Sequence, residues 1–279
     1  MEALKEEIKA EAYAIESNVE TSVETTPTSS LILPILVTLS LILIGGFLMK
    51  RHSLISSNKR SFVICGLQGS GKTNLFHLLT KGKLPVLTVS TLEPGKGELK
   101  LSEEYSNQKT FQDIEILDFP ANPKLKTLYL TPHLHANLNS VQGIIYIIDS
   151  SNFDTKSCHQ AAEDLLELMN ITEGKPNGVD ILVFANKNDL FTSKKSSKIK
   201  EMLEAEVSKI YQLKLRGLSK VDLAGKDGGE EDNDNLDLAT KDGKFEFQQL
   251  EGNVDFAQGN IFKDKWSMIV DWMYEKIVN

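Results

Sequence analysis

Ser61-Phe62-Val63-Ile64-Cys65-Gly66-Leu67-Gln68-Gly69-Ser70-Gly71-Lys72-Thr73-Asn74 is the stretch that decides the fold of this chain. An apolar run of strand type passes straight into G-x-x-x-x-G-K-[ST], and a helical pattern continues from Asn74 to Thr80. Gly66, Gly69 and Gly71 let the backbone turn tightly, with Leu67, Gln68 and Ser70 between them. Successive N–H groups then converge on an anion at the positive end of the following helix. In such a loop Lys72 meets the β- and γ-phosphates of a nucleotide, and the Thr73 hydroxyl binds Mg2+.

Outward from this loop, apolar runs at 113–119, 143–149, 179–185 and 254–257 alternate with helical patterns near 155–170, 195–214 and the C-terminus. Near-continuous Val, Ile and Leu runs separated by helices predict an α/β fold, a mostly parallel sheet covered on both faces. Residues 217–243 break the pattern with Gly-Gly and an acidic cluster, and read as a flexible solvated insertion in a domain spanning 61–279. His133 and His135, two apart in a helical stretch, do not share a face and read as surface residues. Asp149, after a strand, reads as the cap of the next segment.

Toward the N-terminus, residues 31–49 form an uncharged stretch that at about 1.5 Å per residue nearly covers a hydrocarbon layer of roughly 30 Å. One transmembrane helix is therefore expected. Lys50, Arg51, Lys59 and Arg60 follow it, in a basic linker over 50–60, whereas Glu11, Glu16, Glu20 and Glu24 precede it in a polar tail over 1–30. The positive-inside bias puts the tail in the lumen or outside and the large domain in the cytosol. The chain has 279 residues and a formal net charge of −8, with no basic tract, which argues against nucleic acid as a direct partner. Its two cysteines, Cys65 and Cys158, lack metal-ligand spacing and suit a reducing compartment as small core residues.

The phosphate loop does not separate ATP from GTP. Asn186-Lys187-Asn188-Asp189, directly after the 179–185 run, does: it resembles the N-K-x-D guanine motif of Ras-like GTPases. An Asp carboxylate there accepts both guanine N1–H and the exocyclic amino group, a donor pair that adenine lacks. The resemblance implies that Asp189 selects the base, Asn186 braces base and phosphate loops, and the Lys187 stem covers the base. It implies the D-x-x-G position at Asp118-Phe119-Pro120-Ala121, where Ala121 replaces the glycine and restricts the backbone. Asn122 then stands where relatives carry a water-orienting residue and is short for that task, so slow intrinsic hydrolysis is expected. Thr91, within Thr88-Val89-Ser90-Thr91, is the expected Mg2+ ligand of the first switch. Asn260-Ile261-Phe262 falls near the last base-contacting segment.

The order of anchor, phosphate loop, DFPA, NKND and late acidic insertion is similar to that of signal recognition particle receptor beta subunits. TVSTLEP (88–94), IIYIIDSSNFD (144–154), VDILVFANKNDLFTSKKSSKIK (179–200) and KFEFQQLEGNVDF (244–256) carry the likeness, which extends over about 31–279. It implies a Ras-like G domain binding GTP and Mg2+ on the endoplasmic reticulum membrane. There its GTP-bound face holds the receptor's alpha subunit and serves ribosome delivery to the translocon. The alternatives are a cycling Arf-like GTPase of vesicle traffic with a transmembrane anchor, and an ATP-dependent P-loop enzyme in which Asp189 is a bystander.

Overall fold

The structure is a computed structural model that describes residues 37–42, 44, 59–100, 114–222 and 244–278, with the backbone alone over 214–222. The chain divides into two compact units, Met1–Leu54 and Ile55–Asn279. In the first, residues 37–42 are helical. Most of the expected span 31–49, the tail 1–30 and most of the linker lie outside the described residues. Among the described residues no helix is long and apolar enough to cross a membrane.

The second unit is built on a six-stranded sheet, ordered β2-β3-β1-β4-β5-β6. Its strands are β1 (Ser61–Gly66), β2 (Gly95–Glu98), β3 (Glu115–Asp118), β4 (Val141–Asp149), β5 (Ile181–Asn186) and β6 (Val254–Gln258). All neighbours pair in parallel except β2, which runs antiparallel to β3. The helices are α1 (Lys72–Lys81), α2 (Thr131–Asn137), α3 (Thr155–Thr172), α4 (Ser196–Asp222) and α5 (Ser267–Val278). Before α2 come a single turn, Pro123–Leu125, and a π-helical turn, Lys126–Leu130.

Strand alternation sorts the core into two layers. Phe62, Ile64, Ile116, Ile145, Ile147 and Phe184 meet α1 and α5, through Leu75, Leu79, Ile269 and Met273. Val63, Cys65, Leu117, Ile144, Tyr146 and Val183 face α2, α3 and α4 through Leu134, Leu165, Ile199 and Leu203. Phe62, Ile64, Ile145 and Phe184 are fully buried, each stabilising the fold by about 1.5–3 kcal/mol relative to exposure. Cys65 and Cys158 are buried within the second layer, and burial pushes their thiols up to about 12 and about 11.

The sheet places every loop after a parallel strand at one end, where an α/β fold collects its ligand residues. Helix α1 starts at Gly71, φ 104°, and stops at Gly82, φ 68°, whose N–H caps the Leu78 carbonyl. Helix α3 is capped by Asp154, which accepts the Ser157 N–H at 2.8 Å. Two expectations need correction. Helix α4 runs to Asp222 rather than ending near 214: Ile199, Leu203, Val207 and Ile210 are buried at helical spacing, and the helix continues through Gly217, since a lone glycine weakens a helix without breaking it. It thus takes in 217–222 of the expected insertion, and 223–243 lie outside the described residues. His133 is buried, not on the surface: α2 turns it against the Phe119 ring at 5.4 Å between centroids, while His135 is exposed.

Candidate functional site

At the end of β1 the chain turns under strong steric demand. A Cβ on Gly66 would lie 2.3 Å from the Ile147 carbonyl oxygen, so only glycine lets the loop leave between β1 and β4. Leu67 N–H donates to that same carbonyl at 3.3 Å, and the Ser70 hydroxyl donates to Leu67 O at 2.8 Å. Gln68 and Gly69 are exposed at the loop crest, whereas Ser70, Lys72 and Asn74 are buried. Lys72 Nζ donates to Leu67 O at 2.6 Å, which holds the ammonium beneath the loop. Burial pulls the Lys72 amine below its ordinary range, against the pull of Asp118.

Asp118 ends β3 beside this loop and is fully buried. Its Oδ2 accepts the Thr73 hydroxyl at 2.9 Å, while Oδ1 is buried without a hydrogen-bond partner. Burial pushes the Asp118 carboxyl up to about 6, although the Thr73 hydrogen bond and Lys72 both pull it down. A buried carboxylate with a spare oxygen beside a threonine hydroxyl is an all-oxygen donor set that suits a hard divalent cation. Thr73 and Asp118 could therefore hold Mg2+, directly or through water. A cavity of about 400 Å3 opens here, lined by Gln68, Gly69, residues 71–74, residues 88–92, Ala121, Asn122 and Leu125. Thr91 thus lies at the same cavity as the phosphate loop, half-buried.

Asn122 is exposed beside the cavity. Its Oδ1 accepts the Lys124 N–H at 3.0 Å and caps the turn that starts at Pro123, which commits its acceptor to the helix start. Ala121 stands half-buried at the cavity wall.

The second group of site residues sits at the ends of β5 and β6. The Asn186 amide donates to Ser70 O at 2.7 Å and accepts the Ile261 N–H at 3.0 Å. Gly71 packs directly beneath it, since a Cβ there would lie 2.5 Å from Asn186 Nδ2. One buried side chain therefore joins the phosphate loop, the β5 end and the 260–263 turn. Lys187 adopts a left-handed φ of 62° and its amine pairs with Asp149 Oδ2 at 2.5 Å. Asp149 also accepts the Ser151 N–H at 3.1 Å and hydroxyl at 2.6 Å, capping the next segment as its position predicts.

The Asp189 carboxylate faces the 260–263 turn. Asn260 Nδ2 donates to its Oδ1, and Lys263 pairs with Oδ2 at 2.7 Å. The Lys263 hydrogen bond is the main reason the carboxyl sits below the usual range. A carboxylate offers about four acceptor sites, which leaves room for the two N–H groups of a base. Asn260 itself is fixed, its Oδ1 accepting the N–H groups of Phe262 at 2.8 Å and Lys263 at 3.1 Å. Sequence reasoning missed Lys263 and the tie from Asp149 to Lys187. A carboxylate at one strand end and a lysine at the next is the only signal for the second, and nothing local marks the first.

Asn186 thus ties the 66–74 loop to the turn that faces Asp189. A family model described as the signal recognition particle receptor beta subunit matches residues 57–254. The Saccharomyces cerevisiae signal recognition particle receptor subunit beta is 34% identical over 224 residues, covering 79% of this chain and 86% of that relative. The chain belongs to the signal recognition particle receptor beta subunit family. The Dictyostelium discoideum subunit is 28% identical over 200 residues, covering 72% of this chain and 62% of the relative. Among solved structures, the Chaetomium thermophilum SRb-GTP/SRX complex superposes with a TM-score of 0.59 at 20% identity, over 79% of this chain and 99% of that one. The mammalian receptor structure gives a TM-score of 0.58 at 21% identity, over 78% and 100% of the two chains. At these identities the solved structures establish the fold alone, a mostly parallel α/β sheet with helices on both faces.

Proposed function

We propose that this beta-subunit family member binds GTP with Mg2+ and holds the receptor's alpha subunit at the endoplasmic reticulum membrane for co-translational targeting. The single observation that carries the nucleotide reading is Asn186, whose side chain ties the Ser70 carbonyl of the phosphate loop to the Ile261 N–H beside Asp189. A polar turn with no ligand would have no reason to lock two distant loops together. Residues 66–74 cradle the phosphates, Lys72 neutralises them, Thr73 and Asp118 hold the cation with Thr91 closing over it, and Asp189 reads guanine. Lys187 and Asn260 frame the base. The Chaetomium relative was solved with GTP and SRX, and with GDP and Mg. Those complexes support the same ligand class here.

The surface beside the cavity supports the partner. Val86, Leu87, Val89 and Leu92 are 107%, 82%, 80% and 73% exposed along one segment, which offers apolar surface to a protein partner. The γ-phosphate orders this segment through Thr91, and the alpha subunit selects the ordered form. Hydrolysis is slow because Asn122 is engaged as a cap. The span 31–49 anchors the chain with its N-terminus in the lumen and the domain in the cytosol, and ribosome and translocon are reached only through the complex. A cycling Arf-like GTPase needs a water-orienting side chain, and Asn122 is short for that task.

Competition by GTP, ATP and xanthosine triphosphate, measured on wild type and Asp189→Asn, tests the reading. Wild type prefers GTP, and the variant shifts toward the xanthine nucleotide by about tenfold or more, since an amide can donate to the added carbonyl. Equal competition by ATP would sink both the guanine assignment and the GTP-dependent anchor.

A further inference from the structure

We propose that Lys126 is a positioning residue that pins the second switch, residues 119–130 after Asp118, to the body of the domain, so that nucleotide-dependent change is confined to residues 83–94. The inference rests on the nucleotide-binding reading for what the switches sense, but the latch itself is independent of it.

Lys126 opens the π-helical turn that follows the Asp118 to Asn122 corner. It is 6% exposed, and its amine reaches through the core to pair with Asp164 of α3. The other Asp164 oxygen accepts the Tyr146 hydroxyl at 2.7 Å, and Tyr146 is itself buried on the central strand β4. The second switch is thus joined, through one carboxylate, to both α3 and the middle of the sheet. One turn further along, the Thr131 hydroxyl donates to Glu167 at 2.8 Å, a second tie to the same face of α3. The switch also carries Leu130 and Leu134 into the core, both buried.

Breaking one partner of a buried ion pair leaves an uncompensated charge, so this contact holds its helix far more tightly than a surface pair would. A segment that orders and melts with nucleotide needs the opposite: exposed contacts and few buried anchors. Residues 83–94 have that character, with neither helix nor strand and four exposed large apolar side chains. The π turn itself is a wide, uncommon turn of the kind that recurs at functional sites, and it places Lys126 over Asp164 while Thr131 meets Glu167. The partner surface is therefore half preformed, from Leu125 and Leu128, and half made by nucleotide.

Hydrogen exchange of the full chain in detergent tests this, comparing GDP with a non-hydrolysable GTP analogue, and wild type with Lys126→Met in each state and without nucleotide. In wild type, exchange over 123–130 stays the same in both nucleotide states while 83–94 changes by about tenfold or more. Lys126→Met speeds exchange over 123–130 by about tenfold or more and makes it depend on nucleotide. A strong nucleotide dependence of 123–130 in wild type overturns the inference, as does unchanged exchange there in Lys126→Met. Should that variant not fold, Asp164→Asn, which keeps the shape but removes the charge that Lys126 pairs with, replaces it: faster exchange over 123–130 supports the latch, and no change overturns it. A chain that binds no guanine nucleotide fails the proposed function, while the nucleotide-free comparison still decides the latch.

Discussion

Asp149 shows how much of the base loop depends on a residue outside every motif. Burial alone would raise its carboxyl, but hydrogen bonds from Lys187 and Ser151 outweigh that and hold it below the ordinary 3.8. A carboxyl depressed on folding adds stability above its unfolded pKa and loses it as pH falls through the lower folded value. Asp149→Asn removes this contribution. Urea unfolding should therefore find the variant less stable than wild type near neutral pH, with the gap closing as pH drops below 3.8. A gap that stays constant across that range would mean the carboxylate charge is irrelevant there. The remaining site residues were legible because each answers a local chemical demand: Gly66 a close approach, Lys72 an anion, Asn186 two backbone groups. Lys263 was not, because an exposed lysine in a turn looks the same whether or not a carboxylate from another loop lies opposite.

At the scale of elements, five of the six strands could be read from apolar runs, and the sixth could not. Strand β2 is Gly-Lys-Gly-Glu, with no run to detect, and exists because β3 offers its backbone edge. Its glycines serve packing: a Cβ on Gly97 would lie 2.6 Å from the Thr80 methyl of α1. The π turn was equally invisible, since its cause is the distant Asp164. A similar close approach fixes α5 on the sheet. A Cβ on Gly143 of β4 would fall 2.6 Å from Trp272 and 3.1 Å from Phe62, while Trp272 Nε1 donates to Asp255 at 2.8 Å. Gly143→Ala must push the indole outward, breaking that hydrogen bond. The expected cost is about 1–3 kcal/mol in unfolding free energy, accompanied by a red shift of tryptophan emission. An unshifted spectrum with unchanged stability would show that α5 can slide without loss.

In the larger unit, the candidate ligand groups lie at one end of the sheet and the exposed apolar segment 86–92 lies beside them, so the proposed function puts loading and docking on one face. That coupling can be separated experimentally, because residues 86–92 contribute to the surface without contributing to the core. Leu87 and Val89 are 82% and 80% exposed, and replacing them removes almost no buried area from the free protein. Leu87→Ser/Val89→Ser is therefore expected to leave the melting temperature of the GTP-loaded chain within about 2 °C of wild type. Nucleotide affinity is measured on the same variant, since Val89 lines the cavity together with Thr88, Ser90 and Thr91. Capture of the alpha subunit should fall by about tenfold or more, as expected for truncating two side chains at the centre of an interface. The measurement is a pull-down titration with GTP-loaded chain beside a thermal melt of the same preparation. Undiminished capture would move the docking face off this segment, and lost capture together with a lowered melt would mean that these side chains support the fold.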